Sequence, residues 1–270
     1  MSYLQSLLLG LLQGLTEFLP VSSSGHLAVL KNLFNLEEIP LLYDVMLHLA
    51  TLCAVVLFFY KLIWELIKVF FRFITRKEQP EDKPLQIYIV ALICGTIITG
   101  IMGIAFKDVV EKLPIKFISA GFILTALLLV FSEFFAKKNT ENKTQNDGVS
   151  IKQGVICGLA QGFGVLPGIS RSGITISGAL FSGMKRETAG EFAFILSIPA
   201  ILGAFLLELK DMDSLTSSVS LPVLLLGCVA AFLSGLFALK VLMKIVKKGK
   251  LGWFAAYLIP LGIITLIFLK

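Results

Sequence analysis

Gln13-Gly-Leu-Thr-Glu17-Phe-Leu-Pro-Val-Ser-Ser-Ser-Gly-His26 interrupts an apolar stretch, Ser2–Phe34, near its middle. Pro20 stops one helix and the serines that follow cap another, so each half is too short to cross a bilayer of roughly 30 Å. The stretch therefore reads as a re-entrant helical hairpin. A second apolar stretch, Ile151–Met184, breaks in the same manner at Leu166-Pro167-Gly168-Ile169-Ser170-Arg171-Ser172-Gly173. An ungapped offset of 148 lays Gly10, Leu11, Gln13, Gly14, Ser22, Ser24 and Gly25 on Gly158, Leu159, Gln161, Gly162, Ser170, Ser172 and Gly173. Irregular backbone at membrane depth survives only inside protein or beside a wet cavity, so both breaks point to a site.

The chain around them suits this reading. Of 270 residues 56% are hydrophobic and only 16% charged, with mean hydropathy +0.88. Soluble domains carry roughly 25% charged residues, so a soluble enzyme is excluded. Six ordinary spans follow as long apolar runs: Leu41–Tyr60, Leu85–Phe106, Lys116–Ala136, Thr188–Leu207, Leu221–Lys240 and Leu251–Leu269. Three spans follow each hairpin, which gives the halves opposite orientation. The expected fold is an all-α polytopic membrane protein, an inverted-topology repeat of six full transmembrane helices plus two re-entrant helical hairpins. Residues 1–136 form the first repeat (hairpin 2–34), 137–150 a polar cytoplasmic linker rich in Asn, and 151–270 the second repeat (hairpin 151–184).

Charge sets the orientation. Seventeen of the 24 Lys and Arg fall in connections on one face, six on the other, and Arg171 in the second break. The positive face is cytoplasmic, which places both termini outside and lets the two hairpin tips meet inside the bilayer. The same bias accounts for the net charge of +6, so no nucleic-acid partner is expected, and Lys240–Lys250 reads as a topogenic, lipid-facing run. The N-terminus lacks the basic region of a signal peptide and reads as mature structure. Cys53, Cys94, Cys157 and Cys228 stand apart in apolar segments and read as packing residues.

Ionisable groups inside membrane segments mark function by default. Gln13 and Glu17 share one helical face, where a carboxylate and an amide oxygen suit a largely hydrated Mg²⁺ that also takes phosphate oxygens. Ser22, Ser23, Ser24 and Gly25 open a half-helix whose free N–H groups make an anion seat, with Ser23 as candidate nucleophile and His26 as proton carrier. Arg171 occupies the repeat position of Ser23, and its guanidinium suits bidentate bonding to phosphate. Ser170, Ser172 and Thr175 add donors. Asp44 and His48, also on one face, are equally well read as supports of the site or as a buried hydrogen-bonded pair. Glu191 reads as structural, and Trp64 and Trp253 as interfacial anchors.

With these two motifs the sequence resembles the bacterial undecaprenyl-diphosphate phosphatase family of the bacitracin-resistance type, over essentially its whole length. The resemblance implies a cytoplasmic-membrane enzyme with its active site on the outer, periplasmic side. It would hydrolyse undecaprenyl diphosphate to the monophosphate carrier lipid of peptidoglycan synthesis, aided by Mg²⁺ or Ca²⁺. By position it implies a metal-binding motif at Gln13 and Glu17, of which Gln13 is the neutral variant, catalytic Ser23 and His26, and a phosphate-binding Arg171. Two other classes compete. Phosphatidic-acid-type phosphatases need a further His and Asp soon after the Ser-Arg, and Ser172–Met184 has neither. A polyprenyl-phosphate transporter or flippase would share the broken-helix architecture. The sequence leaves the oligomeric state open, a homodimer included.

Overall fold

The computed structural model describes residues 1–34, 36, 39–110, 113–114, 116–141, 148–209, 215 and 217–268. Part of the expected linker, 142–147, lies outside them. Eleven α-helices occur among the described residues and no strand. They are α1 (Tyr3–Phe18), α2 (Ser23–Leu33), α3 (Leu41–Phe58), α4 (Tyr60–Ile74), α5 (Lys83–Val110), α6 (Lys116–Glu141), α7 (Ile151–Phe163), α8 (Arg171–Phe181), α9 (Arg186–Glu208), α10 (Leu221–Lys247) and α11 (Ala255–Phe268). Six segments are long and apolar enough to cross a membrane: α3, α5 with its preceding turn, α6, α9, α10, and α11 with the turn from Leu251. These are the six expected from sequence. The connection after α3 differs, because Tyr60–Ile74 is not a loop but the helix α4.

The short pairs α1/α2 and α7/α8 are built alike. Each first helix starts on a reciprocal capping box. Ser2 Oγ accepts from Gln5 N at 3.2 Å while Gln5 Oε1 accepts from Ser2 N at 2.8 Å, and Ser150 and Gln153 repeat this at 3.3 and 2.8 Å. Leu19, held extended by Pro20, ends α1. The break after α7 turns through Gly168, whose φ of +84° and contact with Ile118 both demand glycine: a Cβ there would lie 2.3 Å from the Ile118 carbonyl oxygen. Each second helix then starts on a serine, with Gly25 N donating to Ser22 Oγ at 3.4 Å and Gly173 N to Ser170 Oγ at 3.1 Å.

Packing repeats the same pattern. A Cβ on Gly10 would meet the Gly227 carbonyl oxygen of α10 at 2.2 Å, and one on Gly158 the Gly95 carbonyl oxygen of α5 at 2.5 Å. One turn on, Gly14 abuts Ser234 of α10 and Gly162 abuts Met102 of α5. Small residues thus let each half-helix lie backbone to backbone against one long span. Residues of α3, α6 and α9 fill the apolar interior between, among them Phe122 and Phe192, and Ser170 N donates to Thr125 Oγ1 of α6 at 3.0 Å. Both breaks are thereby fixed at one level of the bundle.

Candidate active site

The two breaks meet through Glu17. Its Oε2 accepts from Ser23 Oγ at 2.5 Å and Gln13 Nε2 at 3.0 Å and lies 3.2 Å from His48 Nε2, while its Oε1 pairs with the Arg171 guanidinium. Glu17 and Ser23 are under a tenth exposed and Gln13 is fully buried. A carboxylate so deep costs several kcal/mol of hydration, on the order of magnitude general for buried ions, and these donors offset it. Its placement follows from α1: Gln13 and Glu17 are one turn apart on the face that closes on α3 and α8.

His48 brings a proton into this group. Its Nδ1 lies 2.7 Å from the Asp44 carbonyl oxygen, an acceptor only, so Nδ1 carries hydrogen. Nε2 and Glu17 Oε2 would then repel as two lone pairs unless a proton sits between them. With Arg171 the cluster therefore holds two positive contributions around one carboxylate. Asp44 itself turns its side chain to Lys31, 2.7 Å away. Of the two sequence readings of this pair, His48 supports the site directly and Asp44 through its backbone.

A cavity of about 160 Å³ opens beside the cluster, lined by Glu17, Ser22, Ser23, Ser24, His48, Ser170 and Arg171 with Gly164, Val165 and Ile169. The N-termini of α2 and α8 both face this region, adding the positive ends of two helices. Ser22 Oγ and Ser24 Oγ lie 3.4 Å apart, Ser170 Oγ and Ser172 Oγ 3.2 Å. Gly25, buried at its place in α2, lies against Phe122, so the seat stays tight. Ser172 and Thr175 line a narrower crevice beyond the Glu17–Arg171 pair, with Phe18, Gln161 and Ser197, and the Thr175 hydroxyl is engaged by the Arg171 carbonyl at 2.7 Å.

His26 points elsewhere. Its Nδ1 donates to the Ser22 carbonyl at 2.8 Å, and its Nε2 accepts from Tyr257 of α11 at 2.7 Å, the two rings stacked 5.8 Å apart. Tyr257 had no sequence signal, since a tyrosine in the last span reads as an interface residue. His48 had one, its i, i+4 spacing from Asp44 in an apolar helix.

The donor set leaves little for a resident metal. Both oxygens of Glu17 are taken, a guanidinium stands beside it, and no group of three or more His, Cys, Asp and Glu gathers among the described residues. Gln13 Oε1 is buried without a hydrogen-bond partner among the described residues. As they stand, these residues do not fit a metal held by the protein alone.

Known proteins resemble the chain along nearly all of it. A protein of Treponema denticola named undecaprenyl-diphosphatase is 50% identical over 263 residues, 97% of this chain and 96% of its own. Relatives of the same name from Carboxydothermus hydrogenoformans and Bacteroides thetaiotaomicron are 42% and 38% identical over 274 residues, covering 99% of this chain and 97% and 99% of theirs. Residues 6–264, which include both breaks and all the groups gathered around Glu17, match the family described as bacitracin resistance protein BacA, and to that family the chain belongs.

Proposed function

We propose that this protein is a membrane hydrolase that converts undecaprenyl diphosphate to undecaprenyl phosphate and inorganic phosphate, recycling the carrier lipid for peptidoglycan synthesis. The observation that carries the reading is the 2.5 Å hydrogen bond from Ser23 to Glu17 beside Arg171, at the mouth of a cavity lined by serine hydroxyls and two helix N-termini. A hydroxyl whose proton already points at a carboxylate is a prepared nucleophile. A guanidinium with two helix N-termini supplies the charge stabilisation that dominates phosphoryl transfer.

In this reading the terminal phosphate enters the cavity and Arg171 turns part of its fork from Glu17 to the phosphoryl oxygens. Ser23 Oγ forms a bond to the terminal phosphorus as the bridging P–O bond breaks, the hydroxyl proton passes to Glu17, and the lipid monophosphate leaves. Water then attacks the phosphoserine, the bond to Ser23 breaks, Glu17 returns the proton to Ser23, and both hydrogens of the water leave on the inorganic phosphate; His48, whose ring already carries its protons, positions Glu17. His26, set by Ser22 and Tyr257, orients the first turn of α2. A divalent cation, Mg²⁺ or Ca²⁺, would be held by the diphosphate oxygens of the substrate, with Gln13 Oε1 as a partner for its water shell, and would neutralise phosphoryl charge.

The proposed architecture is an inverted-topology repeat, residues 1–136 and 151–270 about a cytoplasmic linker, with α1/α2 and α7/α8 as re-entrant hairpins. The matched contacts of Gly10 with Gly227 and Gly158 with Gly95 support it. The positive-inside bias supports an orientation in the cytoplasmic membrane with the first hairpin entering from outside. In a cysteine-free background, single cysteines at Lys77 and Lys248 should be shielded from an impermeant reagent in intact cells and one at Lys107 labelled; the reverse pattern overturns the orientation.

Purified protein in detergent should release inorganic phosphate from a polyprenyl diphosphate, and a chelator or bacitracin should stop it. A folded protein that releases none with Mg²⁺ present, yet moves polyprenyl phosphate between vesicle leaflets, would instead be a flippase.

A further inference from the structure

Helix α4 has no part in the site, and its residue pattern is unlike that of any span. Tyr60, Trp64, Ile67, Phe71 and Ile74 follow one another at spacings of four and three, hence along one face, and each is between 39% and 60% exposed. Its charges, Lys61, Glu65, Lys68 and Arg72, follow at the same spacing along the adjoining face. Leu66 and Val69, on the side turned away from the stripe, are buried, so α4 rests that side on the bundle.

The depth of α4 is fixed at both ends. Only Phe59, with φ −101° and ψ 20°, separates it from the span α3. At its other end Arg72 pairs with Asp82, which also accepts from Gln79 N at 3.1 Å and sits in the turn that opens α5. A helix clamped between the ends of two adjacent spans lies at a surface of the bilayer, and there an exposed apolar stripe enters the acyl boundary.

Its cations are placed for head groups. Lys68 Nζ lies 5.5 Å over the Trp64 ring and Lys61 Nζ 5.9 Å over that of Tyr60, so each rides at the edge of the apolar face as interfacial lysines do. Arg76 and Lys77 follow at the helix end, both exposed. Glu65 is the only acid on the helix, and Glu78 and Glu81 come later in the turn to α5. Arg72 is already satisfied by Asp82.

We infer that α4 is a membrane-surface helix that binds the anionic phospholipids of the leaflet it lies in, inserting the Tyr60–Ile74 stripe among acyl chains and bonding phosphates through Lys61 and Lys68. A leaflet fits better than a second copy of the chain because the stripe is bordered by like charges that two copies would bring face to face.

Trp64 reports on this directly, since Trp253 is the only other tryptophan. Full-length protein is reconstituted in phosphatidylcholine vesicles containing equal small fractions of either brominated phosphatidylglycerol or brominated phosphatidylcholine, with the W64F variant giving the Trp253 background. Both lipids should quench Trp64, the phosphatidylglycerol at least about twofold more strongly, and K61Q/K68Q should remove the difference while keeping the quenching. Equal quenching by the two lipids in the wild type overturns the anionic preference. No quenching overturns the membrane-surface placement, and if Trp64→Cys then cross-links between copies, the stripe is a homodimer interface instead.

Discussion

The two breaks are near copies as frames and opposites as chemistry. Both pair a capping serine with a glycine three residues on, both carry a buried glutamine at the matching position of the first helix, and both lie backbone to backbone on a long span. Yet Val165 stands at the repeat position of Glu17, Ile174 at that of His26, and Arg171 at that of Ser23. The first break supplies the carboxylate and the hydroxyl, the second the guanidinium. Backbone conformation follows the same division. Ser22 takes φ +67°, a conformation that costs a non-glycine residue on the order of 1 kcal/mol or more, whereas Ser170 sits at −73°. The frame is thus a repeat-independent device for holding two helix N-termini together in a membrane, and a few side chains decide what is done there.

If the first break does the covalent chemistry, Ser23→Ala should reduce phosphate release by about 10³-fold or more with the protein still folded. A rapid acid quench of the wild type should then trap phosphoserine. Substantial residual turnover would move the attack from Ser23 to water. If the second break serves only to hold phosphate, Arg171→Ala should cost about 10²–10³-fold, and Arg171→Lys should not restore it because a point charge cannot replace the planar fork.

Where the frames are alike, the effects should be alike. Gly10→Ala and Gly158→Ala each drive a Cβ into a facing carbonyl and should destabilise by similar amounts, about 1–3 kcal/mol in thermal or denaturant unfolding. A large effect at one and none at the other would break the equivalence. The buried glutamines sharpen the contrast at the smallest scale. Gln13 Nε2 bonds Glu17, while Gln161 Nε2 bonds Thr99 Oγ1 and the Leu196 carbonyl at 3.3 and 3.2 Å. Gln13→Ala should therefore lower turnover roughly tenfold, and Gln161→Ala should cost only about 1 kcal/mol of stability.

Much of this was legible in the sequence because membranes simplify the code. Apolar run length located all six spans, and Pro20 and Pro167 located both breaks, since the bilayer forbids irregular backbone elsewhere. Glu17 and Arg171 were visible as ionisable groups at membrane depth, but their pairing was not, because 154 positions separate them and no local pattern encodes that contact. His48 remained ambiguous for the same reason: its spacing from Asp44 suggested a partner within α3, whereas its side chain reaches α1. His26 was grouped with Ser23 by proximity in sequence, and only the fold reveals Tyr257 on its far side. Helix α4 was hidden by its charges, which made Lys61–Pro84 resemble a loop although its apolar residues recur with helical period.

That Glu17 and Arg171 act as one unit across the two breaks is best tested by a double-mutant cycle on phosphate release with Glu17→Ala, Arg171→Ala and the combination. Residues of one catalytic unit lose their worth together, so the double variant should be no slower than the slower single variant to within about threefold. If the two losses instead multiply, the breaks contribute independently and the joint site described here does not exist.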